Sequence, residues 1–143
     1  MPPDSLLLSP LLPRTALVTG GARRLGRAIC LALADAGFRV GIHCHTSETE
    51  AAALADEIGD AAIVIRADLA DEAQTATLVA RTAAALGPVG VLVNNASTFD
   101  RDEWDDATRA SWDHHMEPNL RAPFVLTQAM ALALPADARG VVI

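Results

Sequence analysis

The sequence contains no tyrosine and no lysine, and all 11 of its basic residues are arginines. These 143 residues therefore offer no phenol and no side-chain amine as a proton donor. Aromatic residues make up only 3% of the chain, whereas 51% of it is hydrophobic, so aliphatic side chains must build the core. This length and apolar content predict one domain.

The chain also lacks long apolar runs and an excess of positive charge. No run reaches the length of about 20 residues that a transmembrane helix needs, and the leucine-rich start has no basic region typical of a secretion signal. We expect residues 1–13 to form an N-terminal arm that lays some leucines on the body of the protein, residues 14–143. The net charge of −7 and the pI of about 4.9 argue against nucleic acid or an anionic membrane as a partner.

Cysteine is scarce, with only Cys30 and Cys44. Both lie in apolar segments, which is typical of small buried side chains. Two such thiols fit a reducing compartment better than a disulfide framework. We therefore expect a cytoplasmic protein.

Apolar segments typical of strands alternate with segments of helical periodicity. Ser47 and Asp71 are predicted helix N-caps, and Glu50 completes a capping box with Ser47. The predicted strands span residues 15–19, 38–45, 61–67 and 89–93, with a fifth beginning at 139, and the predicted helices span 24–36, 47–58, 71–85 and 108–134. This order predicts an α/β fold with a doubly wound parallel sheet and helices on both faces. Because the chain ends inside an apolar fifth strand, we expect a sheet that is incomplete at its C-terminal side.

A glycine-rich turn, TGGARRLG, follows the first predicted strand. Gly20 and Gly21 allow the backbone to turn tightly, and Gly26 allows the helix to pack closely on the strand. The helix N-terminus that follows favours a bound phosphate. Glycine spacing alone is a weak signal, but it indicates a nucleotide site.

The end of the second predicted strand indicates which nucleotide. An Asp or Glu about 20 residues after the glycine turn usually binds a free ribose 2′-hydroxyl, but residues 43–47, HCHTS, contain no acid. His45, Thr46 and Ser47 supply hydrogen-bond donors there, and Arg23 and Arg24 supply positive charge. This anion pocket suits the 2′-phosphate of NADP(H). His43 is predicted to face the core instead.

Polar residues also follow the third and fourth predicted strands. Asp68 is suited either to accept a hydrogen bond from an adenine amino group or to serve as a surface turn residue. The adjacent amides Asn94 and Asn95 need hydrogen-bond partners at a buried strand end, which either the neighbouring backbone or a cofactor could supply.

The segments TGGARRLG, ADL, NNAS and PNL occur in the order and approximate spacing of short-chain dehydrogenase/reductases, and the chain from Arg14 to Ile143 resembles that family. Within it, pteridine reductases look most similar, since they share an arginine at the position of Arg24, a stretch like His43–Ser47, and an aromatic residue at the position of Phe99. The resemblance implies a Rossmann-type fold and a homo-oligomeric NADPH-dependent reductase of a pterin, a dihydropterin or a related C=N or C=O substrate. General carbonyl or 3-oxoacyl reduction, and a non-catalytic nucleotide-binding fragment, remain alternatives.

The resemblance also implies roles for individual residues. No metal site is expected. Arg24, Ser97 and Phe99 would contact the substrate, with Phe99 stacking on a flat heterocycle. The residues implied in binding NADP(H) are Gly20, Arg23, Arg24, Leu25, Gly26, His45, Thr46, Ser47, Asp68, Leu69, Asn95, Ala96 and Ser97.

Asn119 matches a catalytic position of the family, and a physical argument supports it. Pro123 has no N–H, so a helix through it leaves the carbonyl of Asn119 free. The family uses a water at such a carbonyl in its proton relay. Pro118 frees the carbonyl of His114 in the same way. The alternative is that the two prolines only kink the helix.

The family's proton donor is a tyrosine followed four residues later by a lysine, and both come after the fifth strand. This chain has neither residue type. We therefore expect the 143 residues alone to bind a dinucleotide at most and to show no reductase activity. They are interpreted either as the first part of a longer reductase or as a truncated product. Expressed alone, they should be poorly soluble or oligomeric because of exposed apolar surface.

Overall fold

The computed structural model describes residues 8–143, so the first seven residues of the predicted arm lie outside the described part. Leu12 is buried and Leu8 packs against the same core cluster. The backbone N–H of Arg139 donates to the carbonyl of Leu11 at 2.9 Å. The described end of the arm is therefore held against the body of the protein.

Strands and helices alternate along residues 8–143, as predicted. A π-helical turn at Glu117–Arg121 joins the last two helices. The elements are β1 (Thr15–Val18), α1 (Arg24–Asp35), β2 (Arg39–Cys44), α2 (Glu48–Ile58), β3 (Ala62–Arg66), α3 (Glu72–Thr75), α4 (Leu78–Leu86), β4 (Val91–Val93), α5 (Arg109–Met116), α6 (Ala122–Ala133) and β5 (Val141–Val142).

The five strands form one parallel sheet in the order β3-β2-β1-β4-β5. The chain adds β2 and β3 on one side of β1 and then β4 and β5 on the other side. The strand order therefore reverses at β1, and a crevice opens beyond the carboxyl ends of β1 and β4. The predicted Rossmann-type parallel sheet is confirmed.

Helices cover both faces of the sheet. Successive residues of β1 point to opposite sides, and the two sides pack against different helices. Val18 belongs to a core cluster that includes Cys30 of α1 and buried side chains of α2. Leu17 belongs to a second cluster, which includes Leu78 of α4 and Leu126 of α6. None of the helices in residues 8–143 is both long enough and apolar enough to cross a membrane.

The helix predicted for residues 71–85 is two helices, and that prediction is wrong in its middle. Its start is confirmed, because Oδ1 of Asp71 accepts hydrogen bonds from the backbone N–H groups of Ala73 and Gln74. The break follows from Thr77, whose backbone N–H and hydroxyl both donate to the carbonyl of Gln74. A threonine hydroxyl that binds a nearby carbonyl competes with the helical pattern.

The capping box predicted at Ser47 is also wrong. Ser47 has φ −88° and ψ 50° and makes no side-chain capping bond. An N-cap normally needs an extended backbone to aim its side-chain oxygen at the first turn, and the backbone of Ser47 is not extended. Thr108 has that backbone, with φ −113° and ψ 169°, and forms a capping box with Ser111.

The long helix predicted for residues 108–134 is divided by the π-helical turn. The N–H of Ala122 donates to the carbonyl of Glu117, five residues earlier. Pro123 has no N–H for the usual bond to Asn119, and a widened turn accommodates that loss within the helix. Arg121 fixes the turn to α3 through a bidentate pair with Glu72, at 2.7 and 2.8 Å.

We expect Leu126→Ala to lower the free energy of unfolding by about 2–5 kcal/mol, because it leaves a cavity among α6, α4 and the sheet. Leu126 is fully buried. The matched control is Leu132→Ala on the same helix, where the side chain is 88% exposed and the change should stay within about 0.5 kcal/mol. Urea unfolding measures both variants, and equal losses would contradict the placement of α6.

Candidate functional site

A cleft of about 430 Å³ lies at the carboxyl ends of β1, β2 and β4. Its walls are the glycine turn, the end of β2, the segment after β4 and the start of the π-helical turn. Its lining residues are Gly20, Ala22, Arg23, Arg24, Leu25, Gly26, His43, Cys44, His45, Thr46, Ser47, Leu69, Asn95, Ala96, Ser97, Thr98 and Pro118.

The structure brings together every residue implied in cofactor binding except Asp68, which does not line the cleft. Asp68 lies beside it instead, with Oδ2 at 3.9 Å from Nε2 of His45. Its Oδ1 accepts from the backbone N–H of Ala70 at 2.9 Å, as a turn residue does. The cofactor roles of these residues stay predictions.

The glycine turn is tightly packed and leaves no room for side chains. Gly20 has φ +61°, in the left-handed region that favours glycine. A Cβ at Gly26 would lie 2.7 Å from Nδ2 of Asn95, so α1 can approach the segment after β4 only with glycine at this position. The turn is thus a backbone cradle open to the cleft.

Arg24 adopts a backbone conformation that favours glycine. Its φ is +50°, and it is the only non-glycine residue with positive φ in residues 8–143. Such a conformation costs a non-glycine residue of the order of 1–3 kcal/mol. The fold tolerates that strain and thereby places a guanidinium at the first residue of α1, against the cleft.

A network around Thr19 joins the glycine turn to the segment after β4. The Thr19 hydroxyl accepts from the N–H groups of Asn95 and Ala96, both at 3.0 Å. Nδ2 of Asn95 donates to the carbonyls of Thr19 and Gly20. Of the two alternatives for the adjacent amides, Asn95 therefore uses the neighbouring backbone. Oδ1 of Asn94 is buried and has no hydrogen-bond partner within residues 8–143.

The lining of the cleft at the end of β2 contains hydrogen-bond donors and, within residues 8–143, no acidic residue. His45, Thr46 and Ser47 line the cleft there, and the Ser47 hydroxyl makes no bond to its own helix. Arg23 also lines the cleft, with Nη1 at 3.9 Å from Oε1 of Glu50. No acidic side chain is among the residues that line the cleft in the described chain. The arrangement favours an anionic ligand.

His43 faces the core, as predicted, but it also takes part in the site. It is 2% exposed, and its ring contacts both the glycine turn and the backbone after β3. Sequence reasoning missed this second property because the contacts depend on the pairing of β2 with its two neighbours. The only available signal was a histidine in an otherwise apolar strand.

The predicted substrate residues are only partly brought together. Arg24 and Ser97 line the cleft, but Phe99 does not. The Phe99 side chain is 83% exposed, and its ring meets the edge of His115 with centroids 6.2 Å apart. Its role as a wall for a flat substrate stays a prediction.

Asn119 lies beside the cleft rather than in its lining. Its side chain pairs with the backbone of Thr98, accepting from the N–H and donating to the carbonyl, both at 2.8 Å. This contact ties the π-helical turn to the segment after β4. The side chain is therefore a structural link, and the predicted role of its backbone carbonyl stays a prediction.

The two cysteines are buried, as predicted. Burial raises the pKa of the Cys30 thiol to about 12 and also raises the pKa of Cys44. Both thiols stay protonated near neutral pH and are poor nucleophiles. No cluster of metal-binding side chains is found among residues 8–143.

Residues 14–143 match the family model of the short chain dehydrogenases. The chain belongs to this family. It is similar to a sorbitol dehydrogenase of Cereibacter sphaeroides, with 39% identity over 127 residues, which covers 89% of this chain and 49% of the relative. It spans about half the length of the curated relatives that it matches.

Solved structures also resemble this chain. The FolM alternative dihydrofolate reductase 1 of Brucella canis, complexed with NADP, matches with a TM-score of 0.86 and 43% identity, covering 90% of this chain and 53% of that one. A short chain dehydrogenase of Burkholderia cenocepacia J2315, in complex with NADP, matches with a TM-score of 0.83 and 38% identity, covering 94% and 56%.

We expect Arg24→Gly to raise the free energy of unfolding by about 1 kcal/mol. Glycine relieves the strain at φ +50°, although its greater freedom in the unfolded chain offsets part of that gain. The matched control is Arg24→Ala, which also removes the guanidinium but keeps the strained Cβ and should give no such gain. Urea unfolding distinguishes them, and equal stabilisation by alanine would show that charge, not backbone strain, is responsible.

Proposed function

We propose that this chain binds NADP(H) in the cleft and forms the cofactor-binding part of an NADPH-dependent reductase. The observation that carries the proposal is the donor-rich, acid-free lining at the end of β2, beside Arg23 and Arg24. A 2′-phosphate needs such a lining, whereas a free 2′-hydroxyl is usually bound by an acid at this position.

The shape and chemistry of the cleft fit a dinucleotide. The glycine turn packs so closely on α1 that a Cβ at Gly26 would collide with the carbonyl oxygen of Gly20, and the N-terminus of α1 favours a pyrophosphate. Arg23, His45, Thr46 and Ser47 would hold the 2′-phosphate. Leu69 and Asp68 would lie toward the adenine, and Asn95, Ala96 and Ser97 toward the ribose and nicotinamide.

The positive charge available to the phosphate is moderate. Arg23 already has Glu50 at 3.9 Å, and His45 has Asp68 at the same distance. Arg24 has no ion pair among the described residues. We therefore propose that hydrogen bonds from Thr46 and Ser47 contribute substantially to the preference for a 2′-phosphate.

The chemistry of the bound cofactor is hydride transfer to a C=N or C=O group. The residues of this chain would bind and orient the cofactor: the glycine turn and Arg24 would lie toward the phosphates, and Asn95 is already fixed by its bond to the carbonyl of Thr19. The 143 residues contain no tyrosine or lysine, so the family's usual proton donor is not among them. We propose that reduction needs residues beyond these.

For the substrate we propose a pterin, a dihydropterin or a related heterocycle. The similarity to the FolM reductase supports this choice, as do the positions of Arg24 and Ser97 in the cleft. The second candidate is reduction of a carbonyl group, which the similarity to a sorbitol dehydrogenase favours. A non-catalytic nucleotide-binding role is the third. We further propose a homo-oligomer in the cytoplasm.

We expect the chain to bind NADPH more tightly than NADH, and Thr46→Asp to reverse that order. A carboxylate repels the 2′-phosphate and accepts a hydrogen bond from a ribose hydroxyl. The repulsion should weaken NADPH binding by about tenfold or more. The matched control is Thr46→Asn, which has a similar size without the charge and should keep the preference. Fluorescence titration of the three proteins with both nucleotides measures the six affinities.

Equal affinity of the unaltered chain for NADPH and NADH would contradict the phosphate pocket. Reversal by Thr46→Asn as well as by Thr46→Asp would attribute the preference to the lost threonine hydroxyl, not to charge. Reduction of a pterin but not of simple ketones by the whole protein would favour the first substrate class over the second.

A further inference from the structure

The imidazole of His43 links three parts of the site. Its Nδ1 lies 3.0 Å from the backbone nitrogen of Gly20, and its Nε2 lies 3.0 Å from the carbonyl oxygen of Ala67. The backbone carbonyl of His43 accepts from the N–H of Gly21 at 2.9 Å. One residue of β2 therefore bonds to two consecutive amides of the glycine turn and to the end of β3.

The two partners of the ring determine its protonation state. The N–H of Gly20 can only donate, so Nδ1 must carry a lone pair. The carbonyl of Ala67 can only accept, so Nε2 must carry the proton. Only the neutral tautomer protonated at Nε2 satisfies both contacts. A second proton on Nδ1 would face the Gly20 N–H and break that bond.

These bonds also decide which amides of the turn remain for a ligand. The N–H groups of Gly20 and Gly21 are both committed to His43, so neither is left to bind a phosphate. Gly20 is fixed from the other side as well, because its carbonyl accepts from Nδ2 of Asn95 at 3.1 Å. The turn is thereby held between β2 and the segment after β4.

We propose that His43 is a positioning residue, whose neutral ring holds the glycine turn in the shape that receives the cofactor pyrophosphate. The inference rests on the proposed function, because it names the residue that prepares the turn for NADP(H). His43 acts through Gly20 and Gly21 and does not itself need to touch the cofactor.

The surroundings of the ring favour the neutral form. Burial lowers the pKa of His43, more than the bond to the Ala67 carbonyl raises it. The charged groups that face it are His45 at the end of β2 and Arg81 on α4, which lower the pKa, and Asp68 after β3, which raises it. Protonation of His43, and with it the loss of its bond to Gly20, should therefore need a lower pH than protonation of an ordinary histidine, whose pKa is about 6.5.

The sign of the effect on stability follows from this shift. Above the ordinary pKa, both the folded and the unfolded chain hold His43 neutral. As the pH falls below it, the unfolded chain takes up a proton that the folded chain excludes, so His43 makes the folded state less stable in acid. Protonation of the folded chain at still lower pH then releases Gly20.

Two substitutions separate the hydrogen bonds from the titration. His43→Gln carries one acceptor and one donor on a side chain of comparable reach but does not titrate, whereas His43→Leu carries neither. We expect His43→Leu to weaken NADPH binding roughly tenfold, because it leaves the Gly20 N–H without a partner. His43→Gln should stay within about twofold of the unaltered chain at neutral pH. His114→Leu on α5, at a residue that does not line the cleft, is the control for loss of a histidine.

The pH profile supplies a measurement that a merely structural role would not change. As the pH falls below the ordinary histidine pKa of about 6.5 to the lower pKa of buried His43, NADPH affinity should fall further in the unaltered chain than in His43→Gln. The two proteins differ at this residue alone, so the ratio of their affinities at each pH isolates His43. An identical pH profile for the two proteins would overturn the inference.

Imidazole 15N NMR of the unaltered chain tests the tautomer without any substitution, which keeps the inference testable if His43→Leu does not fold. A proton on Nε2 and a bare Nδ1 at neutral pH are expected, and the opposite tautomer would overturn the inference. Failure of the unaltered chain to bind NADPH would refute the proposed function itself. NADPH binding that His43→Leu leaves unchanged would refute only the role of His43.

Discussion

The Thr19 hydroxyl is the contact on which the site depends. It lies at the end of β1, where the strand order reverses, and accepts from two successive amides after β4. Two strands that diverge at a topological switch point leave a gap between their ends, and that gap is the cleft. A hydroxyl that binds both amides fixes the width of the cleft. The glycine turn on one side and Asn95 on the other are then joined through hydrogen bonds of 3.0 to 3.1 Å.

Features governed by local or periodic patterns could be predicted from the sequence. The parallel sheet follows from alternation of strands and helices, and the cap at Asp71 depends only on residues within one turn. The set of residues around the cleft also follows, because strand ends in such a sheet converge on one edge. The resemblance to a family added the individual roles, which geometry alone does not supply.

Features that depend on exact backbone angles or on contacts distant in sequence could not be predicted. Ser47 is a good capping residue by type, but its ψ of 50° turns the hydroxyl away from the helix. The break before α4 comes from competition by Thr77, which the apolar periodicity does not show. The ring of His43 reaches partners 23 and 24 residues away along the chain, and only the register of the sheet brings them together.

Carboxylates lie close to basic groups of the cleft, and this affects how an anionic ligand approaches it. The chain has a net charge of −7, and Arg23 and His45 each have a carboxylate within 4 Å. At long range a polyanionic nucleotide therefore meets a repulsive field, and it gains attraction only at contact distance. Dissolved salt screens the long-range field over about 8–10 Å but affects short contacts less. Moderate ionic strength should thus ease the approach of a nucleotide to this cleft, the opposite of the steering found in basic binding sites.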